Sequence, residues 1–383
     1  LEPPGRSGGL RTYLSQAITY HDLNRKQAYS QRWTLELQRL LPSHFVIDTS
    51  YVGNRGTRLG VNRQLNSVPR QYLTTSALRD ATTIGFLGDV FNNPFYGLGP
   101  FYTRTITRGN LLKPYPHFGN ITNSQPMGYN WYHALQVRAG RRMTRGFTAN
   151  LGYAFTKTME ATQFLNETDP MPYETISAGH RPHRLTVNGI LEIPVGRGKR
   201  LFPNLPRRLN RVFGNWQLSA VVIRQAGAPL TWGNIPFAGD VKDIALPKSE
   251  RDVDRWFNTD AGFFRTTNLG SLASNIRSFP LRFAGITADG QSKWDVSVTK
   301  AFRITERYQV RFRAQCFNLM NHANFGTPNL TPDQHRLRAD HGHRRPAANL
   351  PVLPEHAVLT PEMGTVTNVP FSAAAGKGVI CYC

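Results

Sequence analysis

His180 and His183, in the run HRPHR, are the first residues of this chain that could do chemistry. Two imidazoles three residues apart can share a metal ion when a helix puts them on one face. Pro182 stands between them and forbids that helix, and no cysteine or carboxylate lies at ligand spacing, so no metal site is expected. Gly196, Gly198 and Lys199 in VGRGKR faintly resemble a phosphate loop, but the Walker spacing is absent and no following helix is expected. They read as a turn, with no cofactor. Cys316 falls on the apolar parity of a strand and reads as inert, while Cys381 and Cys383 end a tail of different character. The acidic residues of 160–174 are dispersed along a loop, and no Gly-x-Ser-x-Gly, His-Glu-x-x-His or nucleotide fingerprint occurs. No catalytic residue is assigned, an enzyme is not expected, and no ligand-binding residue is legible.

Charge is the next candidate for function. The 383 residues carry 46 Lys and Arg against 24 Asp and Glu, a net charge of +22. Arginines facing a water-filled interior, turns and loops account for such a surplus. Attraction to nucleic acid or to anionic lipopolysaccharide would also account for it. No RNP, zinc-finger or helix-turn-helix signature accompanies the charge, so nucleic acid is not the expected partner.

The elements that must position these residues are strands. Eight stretches alternate apolar with polar residues: 32–39, 45–53, 129–140, 147–157, 184–193, 215–225, 293–302 and 307–317. Trp33, Leu35 and Leu37 share one parity, and Phe147, Ala149, Leu151, Tyr153 and Phe155 share another strand's. Successive side chains of a strand point to opposite faces, so each stretch has one apolar and one polar face. Charges keep to the polar parity at Glu36, Asp48, Arg138, Glu192, Asp295, Arg311 and Arg313; Arg224 is an exception near a strand end.

A soluble sandwich would alternate too. The connections separate the two readings. Short links at 40–44, 141–146 and 303–306 alternate with long ones at 54–128, 158–183 and 226–293, and the basic Gly/Pro connection 194–214 falls on the short side. A sandwich has no reason to put every long loop at one end. Tight turns at one end and long loops at the other mark an outer-membrane β-barrel. The expected fold is therefore all-β, an antiparallel transmembrane barrel. Hydrophobic content of 40% leaves no run near the roughly 20 apolar residues a membrane helix needs.

Six strings then carry a resemblance: QRWTLELQRLLPSHFVIDTSYVGNRGTRL with Asn66 in QLNSVP; PYPHFGNIT at 114–122; YNWYHALQVRAGRRMTRGFTANLGYAFTKTME at 129–160; HRLTVNGILEIPVGRGKRL at 183–201; GNWQLSAVVIRQAGAPLT at 214–231; and WDVSVTKAFRITERYQVRFRAQCFNLMNHANFGTPN at 294–329. In order and spacing the chain resembles the C-terminal part of the barrel of TonB-dependent outer-membrane receptors. Its nearest likeness is to the Oar-like branch, whose full members carry a carboxypeptidase-regulatory-like domain. The resemblance implies a 22-strand barrel of which residues 32–330 supply about eight strands, with 1–31 a loop and partial strand. It implies location in the bacterial outer membrane, with lipid and lipopolysaccharide as surroundings. It implies capture of a large or scarce extracellular ligand by the long loops. The TonB complex would engage only through a plug and TonB box, which these residues do not include. A passive porin or surface adhesin, and a soluble basic β-protein binding nucleic acid, are the alternatives. Gly53 and Gly56 are expected to permit a tight backbone where a strand enters its loop, and the asparagines of 317–326 to satisfy loop backbone groups.

The chain opens Leu-Glu-Pro-Pro-Gly without Met, so a natural start is not expected there. After Asn329 the resemblance stops. Residues 335–359 show no strand pattern, yet permitted codons read one base later encode an alternating last strand ending in Phe. Residues 331–383 are therefore expected to be out-of-frame or disordered, which would make His341 and His343 meaningless as ligands.

Overall fold

A computed structural model describes residues 7, 9, 12–21, 26–99, 101–252, 255–264, 272–304, 308–328 and 330. The out-of-frame reading of 335–383, His341, His343, Cys381, Cys383 and the end of the expected turn at 305–306 lie outside the described residues.

All eight expected strands form: β1 (Tyr29–Leu41), β2 (Phe45–Gln64), β3 (Ile121–Thr144), β4 (Phe147–Ala161), β5 (His183–Glu192), β6 (Trp216–Gln225), β7 (Gln291–Arg303) and β8 (Gln309–Cys316). Each pairs antiparallel with its sequence neighbour, so chain order is also sheet order. Short strands at Ile18–His21 and Thr175–Ile176 complete one ten-stranded sheet by pairing with β3 and β4. The sheet is open. β1 and β8 form its two edges, and no ladder joins them among the described residues.

The register shows that one side is apolar across the whole sheet. Leu35 lies opposite Tyr51, Tyr51 opposite Leu135 and Leu135 opposite Phe155. Further along, Leu151 faces Val187, Val187 faces Val222 and Val222 faces Trp294. Leu35 and Leu37 are 74% and 73% exposed, and Leu135, Leu151, Phe155, Leu191 and Phe312 are also exposed. Among the described residues no second sheet packs on them, and the other ladder is the two-stranded Val90–Asn92 with Thr105–Thr107. On β4 the apolar row from Phe147 to Phe155 spans about the 9–11 residues a tilted strand needs to cross a bilayer, and then meets Lys157. Asp48 and Arg138 lie opposite one another on the other side, and Asp295 and Arg313 share that side. Water-soluble sandwiches bury such an apolar face; this one presents it outward.

Two boundaries differ from the sequence reading. Residues 54–64 and 121–128, expected in a long loop, extend β2 and β3 beyond the apolar belt. Alternation of hydrophobicity stops where the wall leaves the bilayer, but backbone pairing continues, so periodicity under-reads these ends. The glycines of 51–57 also act differently. Neither Gly53 nor Gly56 has positive φ; the left-handed residue is Arg58 (φ 58°), where the β2–β3 register shifts. Gly53 instead leaves room for the Trp33 indole lying across it, and Gly56 for Asn130, whose Oδ1 accepts the Gly56 N–H at 2.9 Å.

The short-turn end is tight at two places. Residues 42–44 form a single 3-10 turn with Ser43 and His44 left-handed, and Arg145 and Gly146 (φ 54° and 79°) make a two-residue hairpin turn. The connection between β5 and β6 is longer, and it contains a helix, α1 (Arg207–Phe213), that the sequence reading did not expect.

Candidate functional site: a joined cap of long loops

At the opposite end the long loops are folded structures in their own right. The best-formed apolar core of the molecule lies in the β6–β7 loop, not in the wall. Trp232 is 2% exposed and stacks on Phe263 and Phe283 at 5.8 and 5.7 Å, with Phe257 and Phe279 edge-on at 5.2 and 5.6 Å. Leu230, Ile244 and Ile286 close the cluster. Aromatic edge and stacked contacts of this kind add to plain burial, so the loop holds a fixed shape.

Its outer rim then joins the other loops. The Arg282 guanidinium meets Glu160 at the top of β4 at 2.7 Å and donates to the Ile176 carbonyl at 2.7 Å. Arg277 donates its backbone N–H to Asn166 Oδ1 at 2.7 Å, and Asn166 Nδ2 returns a bond to the Arg277 carbonyl at 3.1 Å. Burial pushes the Arg277 guanidinium below its ordinary value, and neighbouring Tyr173 opposes that. Its Nη2 donates to the Trp232 carbonyl at 2.7 Å, tying the rim to the aromatic core.

The β2–β3 loop joins through backbone. Thr74 and Ser274–Ile276 exchange bonds of 3.0 and 2.8 Å, and Arg70 pairs with Asp169 at 3.0 Å. Within that loop, Asn66 is 1% exposed. Its Nδ2 donates to the carbonyls of Tyr115, Phe118 and Gly119, and its Oδ1 accepts the Tyr115 N–H. QLNSVP and PYPHFGNIT, far apart in sequence, are thus two halves of one clamp.

Two hollows open on this architecture. A polar cleft of about 420 Å³ is lined by Asn62, Gln64, Asn66, Thr122, Lys113 and Glu167. A groove of about 600 Å³ on the apolar side of the wall is lined by Trp33, Trp131, His133, Tyr129, Arg55 and Glu174. The cleft offers amides, hydroxyls, one ammonium and one carboxylate, which suits a hydrogen-bonding ligand.

The residues singled out from sequence fall apart in space. His180 is buried in the β4–β5 loop with no partner for Nδ1 among the described residues, and burial, with Lys157, Arg181 and His183 nearby, pushes its imidazole below the ordinary value. His183 lies on the apolar side of the wall, where Nδ1 shares a 2.8 Å bond with the Tyr153 hydroxyl. Tyr51 and His133 repeat that pair two strands away at 2.7 Å. Among the described residues no group of three His, Cys, Asp or Glu could hold a metal ion. Gly196 and Gly198 are turn glycines with positive φ, and Lys199 pairs with Glu192 at 3.1 Å. Cys316 sits on the apolar side opposite Val296. Asn318 accepts the His322 N–H and donates to its carbonyl, as expected for an asparagine at a strand end, and Asn324 accepts from Ser292.

The dispersed acids of 160–174 prove to be the joints of the cap. Glu160 takes Arg282, Glu167 takes the Gln64 N–H, Asp169 takes Arg70 and Glu174 takes the Tyr129 hydroxyl. Sequence reasoning missed this, and missed Arg277 and Arg282. Glu160 and Asp169 meet arginines 122 and 99 residues away in sequence, and finding such partners needs the fold.

A family profile described as "Outer membrane beta barrel domain" matches residues 1–343. No curated protein matches. Among solved structures the chain is similar to the outer membrane transporter YddB from Escherichia coli, with 10% identity over 82% of this chain and a TM-score of 0.38. It is also similar to the FrpB iron transporter from Neisseria meningitidis, with 11% identity over 85% of this chain and a TM-score of 0.37. The chain spans 31% of the length of either transporter.

Proposed function

Because this chain belongs to the outer membrane beta barrel domain family, we propose that it is the C-terminal wall and cap of a TonB-dependent transporter of the Oar-like branch. It stands in the bacterial outer membrane with its apolar side in lipid. The cap of long loops faces outward and captures a ligand too large or too scarce to diffuse through a pore. The polar cleft beside Asn62, Gln64 and Glu167 suits a ligand recognised by many hydrogen bonds. Contact with the TonB complex belongs to a plug and TonB box elsewhere in such a receptor. Lipopolysaccharide is the natural neighbour of the Trp33–Trp131–Arg55 groove on the outer wall.

The observation that carries this reading is the joining of three loops into one folded lid. An open porin has no use for a loop with its own aromatic core, held to the β4–β5 loop by Arg277 and Arg282 and to the β2–β3 loop through Thr74. A receptor needs such a preorganised surface, because rigid loops lose little entropy on binding. The discriminating test is the coding sequence upstream of Leu1 together with bilayer conductance. A plug domain and a TonB box, with no steady conductance from the complete protein, are expected. A signal sequence directly ahead of β1 and a constantly open channel would put a passive porin in its place.

A further inference from the structure

The connection between β5 and β6 is unlike its neighbours at the short-turn end. From Ile193 to Trp216 it contains no Asp or Glu and carries Arg197, Lys199, Arg200, Arg207, Arg208 and Arg211. It also exposes Leu201, Phe202, Leu209, Val212 and Phe213, the last two at 56% and 55%. On α1 the two kinds of residue separate. Leu209, Val212 and Phe213 follow the i, i+3, i+4 spacing of one helix face, and Arg207, Arg208 and Arg211 turn to the opposite side.

The helix is fixed, and it is fixed to the lipid-facing rim. The Trp216 indole N–H donates to the Val212 carbonyl at 2.9 Å. Lys300, 1% exposed, donates through Nζ to the Gly214 carbonyl and lies over the rings of Trp216 and Phe302, each at 5.3 Å. Trp216 and Lys300 are opposite one another on the apolar side of the wall. Asn210 Oδ1 accepts the Arg197 N–H at 2.7 Å and binds the turn to the helix. A rigid, amphipathic, strongly cationic segment therefore hangs where the apolar belt ends.

The geometry points to an interfacial anchor: α1 and the 197–202 turn lie in the inner-leaflet headgroup layer and bind anionic phospholipid. The apolar face enters the acyl boundary, and the arginines take the phosphates. Continuity with the lipid-facing wall through Trp216 and Lys300 supports this occupant, as do five arginines with no acid among them, Lys199 being paired with Glu192. Basic faces opposite Leu and Phe are how helices lie flat on a membrane, and each Lys or Arg near an anionic surface adds to the attraction. The inference rests on the proposed placement of the short-turn end at the periplasmic side.

The test uses the full chain with Cys316, Cys381 and Cys383 changed to Ser, inserted into vesicles. Spin labels are placed by Leu151→Cys, Phe213→Cys and Ser249→Cys, and collision rates with oxygen and with a soluble nickel chelate report depth. Vesicles of phosphatidylcholine alone are compared with an equal mixture with phosphatidylglycerol. Residue 151 is expected deep in both and residue 249 in water in both. Residue 213 is expected to favour oxygen severalfold over the chelate in the mixture and to shift toward water without phosphatidylglycerol. Arg207→Gln/Arg208→Gln/Arg211→Gln removes that shift, and the Lys triple variant restores it. A residue 213 that is as chelate-accessible as 249, or that is deep regardless of lipid charge, overturns the anchor while leaving the barrel intact. A residue 151 in water overturns the barrel reading and the anchor together.

Discussion

Arg282, from the β6–β7 loop, reaches Glu160 at the top of β4 at 2.7 Å, with its side chain only 8% exposed and that of Glu160 22%. The same guanidinium bonds the Ile176 carbonyl and Thr231 Oγ1. One side chain therefore connects wall, middle loop and aromatic subdomain. Removing one partner of a buried pair leaves the other charge without compensation, which costs about 3–5 kcal/mol. Arg282→Ala is expected to release the 226–290 loop while leaving the wall folded. Limited proteolysis of the outer surface should then cut within that loop, with heat-modifiable mobility retained. An unchanged cleavage pattern would show that the aromatic core alone holds the cap.

Asn66 makes four hydrogen bonds with the 115–119 segment, all with backbone groups. Asn66→Ala leaves several buried carbonyls unsatisfied, and at roughly 1 kcal/mol net per bond the local loss is about 3–4 kcal/mol. Amide exchange at residues 115–120 should rise by more than two orders of magnitude, with exchange in β4 and β5 unaffected. Asn66→Asp should behave nearly as badly, because a carboxylate cannot donate to the three carbonyls.

His180 is held uncharged by burial, with Lys157, Arg181 and His183 adding to the effect. Its folded value lies below the ordinary 6.5, so the unfolded loop takes up the proton first. Stability of the 162–182 loop is therefore complete above 6.5 and falls as pH drops below it. Proteolytic sensitivity of this loop should rise on acidification from neutral pH, and His180→Gln should flatten the response. A pH-independent cleavage rate in the parent protein would contradict the assignment.

Leu151 and Asn150 are adjacent but face opposite sides: Leu151 is opposite Val187 and Asn150 opposite Asn188. A cation on the lipid side near mid-bilayer costs about 2–4 kcal/mol, falling toward the interfaces. Leu151→Arg should sharply reduce the folded fraction on insertion into vesicles, read as heat-modifiable mobility. Asn150→Arg should change stability by less than about 1 kcal/mol. Equal damage from both would mean that neither face contacts lipid.

Strand identity was legible because lipid on one side and water on the other impose a period of two, and Trp33, Leu35 and Leu37 state it plainly. The ends of β2 and β3 were not legible. Beyond the belt only backbone pairing holds residues 54–64 to 121–128, and pairing leaves no mark on composition. Gly53 was marked in the sequence as special, but its role came from Trp33 on another strand.

By itself the chain's alternation determined an all-β wall, its outward face and its order of short and long connections, because each of these follows from local spacing. Only the tertiary structure decided that the long loops are one joined cap, that Glu160 belongs to Arg282 and Asn66 to the 115–119 turn, and that α1 hangs from Trp216 and Lys300. Apart from the Trp216–Val212 bond, those relations connect residues separated by long stretches of chain. A buried charge or amide takes whichever partner the fold brings within about 3 Å, and no local pattern encodes which one that is.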